Sequence, residues 1–422
     1  MARGWAALAL ILLMPTLGAR RADAEAPLTA NQLVQMAIQA NPQIRSARYR
    51  WQSAEHSIKQ TVAPNDPIFT YTNSDSVKSP VGRASLREFN FTEAFQFPGK
   101  AFFQRDQAVR TAAIAQLTLE STIRDIRAAV LTGYYQLLLD IATAEVNRDN
   151  NANLDQVLKV TQIAYSASQV TQTDVISAEF DLTAGRQLQK QYETAIANDQ
   201  TTLDQLLYRA PGEHVNVDRT LKLEALSTPL DPLIDRAYAE RQEILAAALT
   251  ERNFNTALSL AKMEYLPDFT AGIQYDQYLV PSFAPTPSQP NDWVGIIGLN
   301  LPIFFWIKQN QDVARARTDL AASRTDLASI RSQTAATVTT LYRTTQFAYG
   351  NALIFRDTLT PLAGQDFRVA LIAYQSGKID FVTLSGTLQR SYAARISYLQ
   401  AANQFLAGEV SLEQAIGAPL IK

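Results

Sequence analysis

Two periodicities alternate along this chain, one near 3.6 residues and one of two, and the points where they exchange mark its elements. Residues 29–62 read as a helix, opened by Thr29, whose hydroxyl can cap the backbone while Gln32 reaches back. Phe69 and Tyr71 then alternate with Thr70 and Thr72, and Phe89, Phe91, Phe95 and Phe97 alternate with Asn90, Thr92, Ala94 and Gln96. Strands are predicted over about 67–73 and 85–97, with a polar loop from Asn73 to Ala84 between them. After Pro98 the longer period returns, predicting helices over 99–166 and 173–209. Val109, Ile123, Val130, Leu137 and Leu158 keep one heptad phase, the mark of coiled-coil packing. At 1.5 Å per residue the first of these helices spans about 100 Å, far more than a globular domain requires.

The second half repeats the first. Leu33, Val34, Ala37, Ile44 and Ala47 align with Leu233, Ile234, Ala237, Ile244 and Ala247 at an offset of 200, Pro98 with Pro302 at 204, and Ala164-Tyr165 with Ala373-Tyr374 at 209. A drift this small, in order, points to a duplicated unit, 25–226 and 227–422, with insertions in loops. Chance similarity between two alanine-rich helical halves is the plainer alternative. The second unit is expected to hold helices over 231–265, 303–375 and 381–416, and strands over 267–279 and 292–301 joined by a loop from Val280 to Asp292. Leu320, Leu327, Leu341, Phe355, Leu362 and Val369 share a heptad phase, and Pro361 is expected to kink that helix.

Composition narrows the function. With 47% hydrophobic residues in 422, the chain can bury a core. Its 38 basic residues stand against 40 acidic ones, so no positive excess drives binding to phosphate backbones, and nucleic acid is not an expected partner. The absence of cysteine removes disulfides, thiolate metal sites and a lipid-bearing N-terminal cysteine. The two histidines, His56 and His214, have no spaced second ligand and read as surface residues; no metal or cofactor is expected. Arg3, the apolar run Trp5 to Leu13, and Ala22-Asp23-Ala24 form a secretory signal pattern over 1–24, the apolar run being too short to cross a bilayer. Nucleotide-binding, zinc-protease and nucleophile-elbow motifs are missing from the sequence, so an enzyme is not expected.

Four amphipathic strands cannot bury an aromatic face or pair both edges alone, whereas closed membrane barrels have about eight strands or more. Oligomerisation is therefore expected. At this point the chain resembles the TolC-like outer-membrane factors of tripartite efflux pumps and type I secretion systems. The resemblance is carried by the duplicated helix-strand-strand-helix-helix order, by Phe95-Gln96-Phe97-Pro98-Gly99-Lys100, and by the turns Ala164 to Val175 and Ala373 to Leu384. It implies a mainly α fold with a small β part: a homotrimer whose twelve-stranded barrel sits in outer-membrane lipid and continues as a helical tube through the periplasm. Phe89, Phe91, Phe95 and Phe97 would face that lipid, although a soluble core could also use them.

The same resemblance makes the helix-helix turns a periplasmic tip. Ser168, Gln169 and Val170 in one turn, and Gly377, Lys378, Ile379 and Asp380 in the other, would dock a periplasmic adaptor protein. Asp174 and Tyr374 match positions that hold the tip closed in relatives, and Thr383 and Gly386 stand where relatives place an acidic ring. Ser168 replaces the glycine usual in the first turn, so a different turn geometry is expected there. Asp174 could equally be a helix cap, three residues after Thr171, and Gly377 a residue kept for positive φ. The implied function is a passive exit duct working with an adaptor and an inner-membrane pump of the RND or ABC type. The Phe97 to Lys100 stretch is similar to metal-efflux members, which points to metal cations or small toxic compounds as cargo. Polypeptide secretion and a soluble periplasmic coiled-coil adaptor are the alternatives.

Overall fold

The computed structural model describes residues 27–79, 82–213, 215–219, 222–279 and 291–420. The signal pattern over 1–24 and most of the Val280 to Asp292 loop lie outside them. The elements run α1 (Ala30–Ala40), α2 (Pro42–Thr61), β1 (Ile68–Ser79), β2 (Gly82–Phe95), α3 (Lys100–Ser166), α4 (Gln172–Leu206), then α5 (Leu230–Glu240), α6 (Gln242–Met263), β3 (Asp268–Leu279), β4 (Asp292–Asn300), α7 (Gln309–Ile354), a π-turn at Phe355–Leu359, α8 (Thr360–Gln375) and α9 (Phe381–Ile416). The same order thus occurs twice. Helix α3 has 67 residues, and α7, the π-turn and α8, with 46, 5 and 16, together make 67 as well.

Each half opens on two helices rather than the single one that periodicity predicts over 29–62 and over 231–265. Pro42 disfavours helical backbone at Asn41, which sits extended at φ −65°, ψ 124°. Asn41 then caps α2 by accepting from the Gln43 N–H at 2.8 Å. Arg241 adopts the same backbone without a proline. It donates to the Ala415 carbonyl at 3.0 Å and lies against Gly417, where a Cβ would come within 2.7 Å of its Cα. The Thr29 and Gln32 capping box is present as expected. The expected loop from Asn73 to Ala84 is mostly strand: β1 and β2 pair out to Ser79 and Gly82. The sequence there, Asn73 to Lys78, is polar at all but one position and so carries no alternating pattern.

The strands form one antiparallel sheet in the order β1-β2-β3-β4. Helices form a wall beneath it. Near the sheet the wall runs α2, α3, α6, α7; farther away it runs α4, α3, α9 and α8. Short α1 and α5 pack on the outside of it, burying Leu33, Val34 and Ala37 against α3, and Leu233 and Ala237 against Val338 and Leu412. The heptad phase of the second long helix holds only in part: Leu320 and Leu327 are buried, but Leu362 and Val369 are exposed, and the core passes to Phe367, Ala370 and Tyr374. Pro361 explains the shift. It cannot donate a backbone hydrogen bond, and the turn before it widens so that the Thr360 N–H reaches the Phe355 carbonyl, five residues back.

Where strand becomes helix, Lys100 is buried and its Nζ pairs with Asp268 at 2.9 Å and Glu264 at 3.3 Å. Asp268 also accepts from the Phe97 N–H at 2.8 Å. One carboxylate therefore fixes the strand-to-helix connection of the first half to the strand of the second. Removing it leaves a buried ammonium short of its nearest partner, so Asp268→Ala is expected to cost about 3 kcal/mol in denaturant unfolding of the detergent-solubilised protein.

Candidate functional site

The register of the sheet sorts its side chains into two faces, because directly paired residues point the same way. One face carries Phe69, Tyr71, Phe89, Phe91, Phe95, Phe269, Ile273, Tyr275, Trp293, Ile297 and Leu299. Tyr71, Phe89, Tyr275 and Trp293 make a continuous aromatic row, with ring centroids 5.2, 6.3 and 4.9 Å apart. Glu93, opposite Ala271, lies among them; Phe91 and Phe95 are 46% and 42% exposed, and among the described residues nothing covers this largely apolar face. Phe97 does not belong to it as a strand residue. β2 ends at Phe95, and Phe97 instead stacks on Phe269 at 6.2 Å.

The other face is polar: Thr70, Thr72, Glu88, Asn90, Thr92, Thr270, Gln274, Asp276 and Asp292 among others. Glu88 is registered opposite Asp276, and Asp276 opposite Asp292, which sets three carboxylates in one row across three strands. Like charges directly opposite destabilise a sheet. Gln274 Nε2 donates to Asp276 Oδ1 at 2.8 Å and Asn90 Nδ2 to Gln274 Oε1 at 3.2 Å, which orders the row. Sequence reading missed it, since residues 88, 276 and 292 become neighbours only through strand pairing. Among the described residues no group of three or more His, Cys, Asp or Glu is arranged to hold a metal ion, and no helix is long and apolar enough to cross a membrane.

The two helical turns at the far end are alike. Ser168 sits at φ 58° and Gly377 at φ 70°. The Ser168 and Gln169 N–H groups donate to the Tyr165 and Ala164 carbonyls at 2.9 Å each, and those of Gly377 and Lys378 to Tyr374 and Ala373 at 2.9 Å each. The different geometry expected from Ser168 is absent: serine takes the left-handed conformation that glycine takes in the second turn. Asp174 forms a capping box with Thr171, accepting from its N–H at 2.9 Å. In the second turn the residue types trade places, and Asp380 accepts from the Thr383 N–H at 2.8 Å. Tyr374 is buried among Val157, Ala178, Phe381 and Leu384, and its hydroxyl donates to Thr161 Oγ1 at 3.2 Å. Gly386 faces open space, and Gln169, Lys378 and Asp380 are exposed while Val170 and Ile379 are half-buried.

Two carboxyls in the helical wall are unusual. Burial, then a hydrogen bond and charge from Asp140, push Asp199 up to about 7. Burial, then the charges of Glu413 and Glu224, do the same to Glu409. Glu243 goes the other way: burial alone would raise it, but hydrogen bonds from Arg124 and the nearby charges of Arg124 and Arg241 bring it to about 2.

Ser168→Gly relieves about 1 kcal/mol of left-handed strain and gives back roughly 0.5 kcal/mol in unfolded-chain freedom. Denaturant unfolding should therefore show a small gain in stability for it and a loss of about 2 kcal/mol for Gly377→Val. Asp199 and Glu409 hold protons more tightly folded than unfolded, so their stabilisation is complete at acid pH and is lost as pH rises through about 7. The unfolding temperature should fall as pH rises across that range, and Asp199→Asn with Glu409→Gln should flatten the profile.

Comparison with known proteins accords with this geometry. Residues 33–207 and 233–418 match the family described as outer membrane efflux protein. The cobalt-zinc-cadmium resistance protein CzcC of Cupriavidus metallidurans is 23% identical over 407 residues, covering 94% of this chain and 91% of the relative. Among solved structures, the outer-membrane channel OprN superposes with a TM-score of 0.80 at 16% identity, covering 93% of this chain and 90% of that one. CusC gives 0.79 at 14% with 92% of both chains covered, and VceC of Vibrio cholerae 0.77 at 15%, covering 93% and 97%. The shared architecture is mainly helical with a small antiparallel sheet.

Proposed function

The chain belongs to the outer membrane efflux protein family, and from that premise we propose that three copies close into an exit duct for cations. The observation that carries this reading is the sheet with two dissimilar faces and two free edges. Its four antiparallel strands leave β1 and β4 running in opposite directions, so β4 of one copy can pair antiparallel with β1 of the next. Three copies make twelve strands, with the aromatic face against lipid and the polar face around a water-filled lumen. The helical wall has matching seams. Ile176 and Phe180 on α4, at one edge, are exposed, as are Leu362, Val369 and Ile372 on α8, at the other. Neighbouring copies would cover both, and the wall would extend the duct into the periplasm.

At the tip, Ser168 to Val170 and Gly377 to Asp380 form two protruding turns that an adaptor protein could grip, with an inner-membrane pump supplying the energy. Asp174 and Tyr374 stand near each other there, and Tyr374 ties α8 to α3 through Thr161. Closure would rest on that bond, with Asp174 also serving as a cap. Thr383 and Gly386 are themselves uncharged, and the carboxylates beside them are Asp380, which accepts from the Thr383 N–H, and Asp181, which accepts from Ser385 Oγ. The row Glu88, Asp276 and Asp292, repeated by threefold symmetry, would ring the barrel lumen with acid and favour cations. The likeness to a cobalt-zinc-cadmium resistance protein supports metal cations as cargo.

Purified protein should have the native mass of a trimer and conduct in planar bilayers with cation preference. Neutralising the row (Glu88→Gln, Asp276→Asn, Asp292→Asn) should move the cation-to-anion permeability ratio several-fold toward unity without loss of trimer. A monomer, or an unchanged reversal potential, would refute the corresponding part.

A further inference from the structure

The two halves differ in length where sheet passes into wall. Pro98 and Pro302 correspond at an offset of 204, whereas Lys100 and Gln309, each buried at the start of its long helix, correspond at 209. Six residues, Ile303 to Lys308, therefore stand where the first half has Gly99 alone. The five that precede Lys308 read Ile-Phe-Phe-Trp-Ile, and each is between 47% and 65% exposed. A single exposed apolar side chain is ordinary on any surface, but five in succession form a patch that calls for a partner.

The insertion is held in place. The Ile307 and Lys308 N–H groups donate to the Phe304 carbonyl at 3.0 and 3.2 Å, and that of Asn310 donates to the Phe305 carbonyl at 2.9 Å, so its turns lead straight into α7. Trp306 meets the rings of Phe304 and Phe305 edge-on, with centroids 6.0 and 5.2 Å away. Phe305 in turn lies 6.4 Å from Tyr265, whose hydroxyl donates to Asn310 Oδ1. Toward the sheet the patch is continuous with exposed Ile297, Leu299 and Leu301 at the end of β4. Toward the helix it ends at Lys308, which is exposed and has no carboxylate partner among the described residues.

A neighbouring copy is a poor cover for this patch. If β4 pairs with β1 of the next copy, the surface brought beside α7 is the end of α2 and its connection to β1. From Lys59 to Pro67 that surface has one large aliphatic side chain, Val62, among exposed Gln60, Asn65 and Asp66. Lipid fits better. Aromatic rings beside a lysine are the composition of a membrane–water interface, where the rings sit at headgroup level and the ammonium reaches outward to phosphate. We propose that Ile303–Ile307 is a foot that dips into the phospholipid surface on the periplasmic side of the outer membrane, with Lys308 at the phosphates. The foot rests on the barrel reading only for which membrane surface it meets. The first half, with Gly99 in its place, has no counterpart, so each copy contributes one foot.

The chain has no cysteine, so a single introduced one can carry a nitroxide label without background. In full-length protein reconstituted into vesicles of phosphatidylethanolamine and phosphatidylglycerol, labels at Phe304→Cys and Ile307→Cys should collide with dissolved oxygen, which partitions into hydrocarbon, and hardly at all with a water-soluble nickel chelate. The oxygen-to-nickel collision ratio at both should exceed that at Gln169→Cys, on the exposed tip, by about tenfold. A ratio equal to that at Gln169→Cys would mean water, and low collision with both reagents would mean cover by a second copy; either overturns the foot. Trp306→Phe, which keeps an apolar ring, gives a second reading. Quenching of tryptophan emission by phospholipid brominated near the top of its acyl chains should lose a component in this variant, and an unchanged quenching profile would also overturn the proposal. A label at Phe91→Cys keeps the barrel separate: lipid contact at 304 and 307 without it at 91 leaves the foot standing and refutes the barrel, whereas lipid contact at 91 alone refutes the foot.

Discussion

A sheet edge is a row of backbone donors and acceptors that must be paired somewhere, and four strands leave two such rows open. In hydrocarbon no water can satisfy them, so the unpaired edge governs the rest of the architecture. An even number of antiparallel strands makes the first and last edges complementary in direction. That lets identical copies close on one another with no new element. The helical wall inherits the same constraint, because α2 and α4 continue under one edge of the sheet and α7 and α8 under the other. Exposed apolar residues on α4 and α8 are what a wall with two unsealed seams requires, and they would be costly on a monomer.

The change from sheet to wall is the point where the two periodicities meet, and a single buried cation holds it. Lys100 begins α3 and is gripped by Glu264 at the end of α6 and Asp268 at the start of β3. The corresponding residue of the second half, Gln309, is also buried at a helix start, but is uncharged and follows a longer connection through Ile303 to Lys308. The two halves therefore share the positions and differ in the chemistry. The same holds at the tip, where Thr171 with Asp174 becomes Asp380 with Thr383.

The element order was legible because helix and strand impose periods that survive any drift in residue identity. Thr29 with Gln32, the aromatic alternation at 69–71 and 89–95, and the paired turns at 164–175 and 373–384 could all be placed by inspection. The helix breaks at Asn41 and Arg241 were less accessible. Pro42 signals the first, but Arg241 is held extended by contacts with Gly417, 176 positions away in sequence. Ser168 departs from the expected geometry for a physical reason: a positive φ is costly for serine, but two backbone hydrogen bonds and two helix ends hold the turn in place. The acidic row was illegible, since it exists only once β2, β3 and β4 are in register.

That row also bears on why the sheet tolerates its own electrostatics. Three carboxylates opposite one another would be purchased at a loss in a sheet selected for stability alone. In the proposed barrel a water-filled lumen would screen them, while the opposite face, one residue away along each strand, carries the aromatic row. Alternation would then separate two incompatible solvents across a single backbone. The heptad shift at the π-turn works by the same logic in the helical wall. Turning Leu362 and Val369 outward withdraws them from their own chain's core and offers them to a neighbour, so the irregularity that weakens the helix along its axis also supplies the apolar surface that would seal its seam.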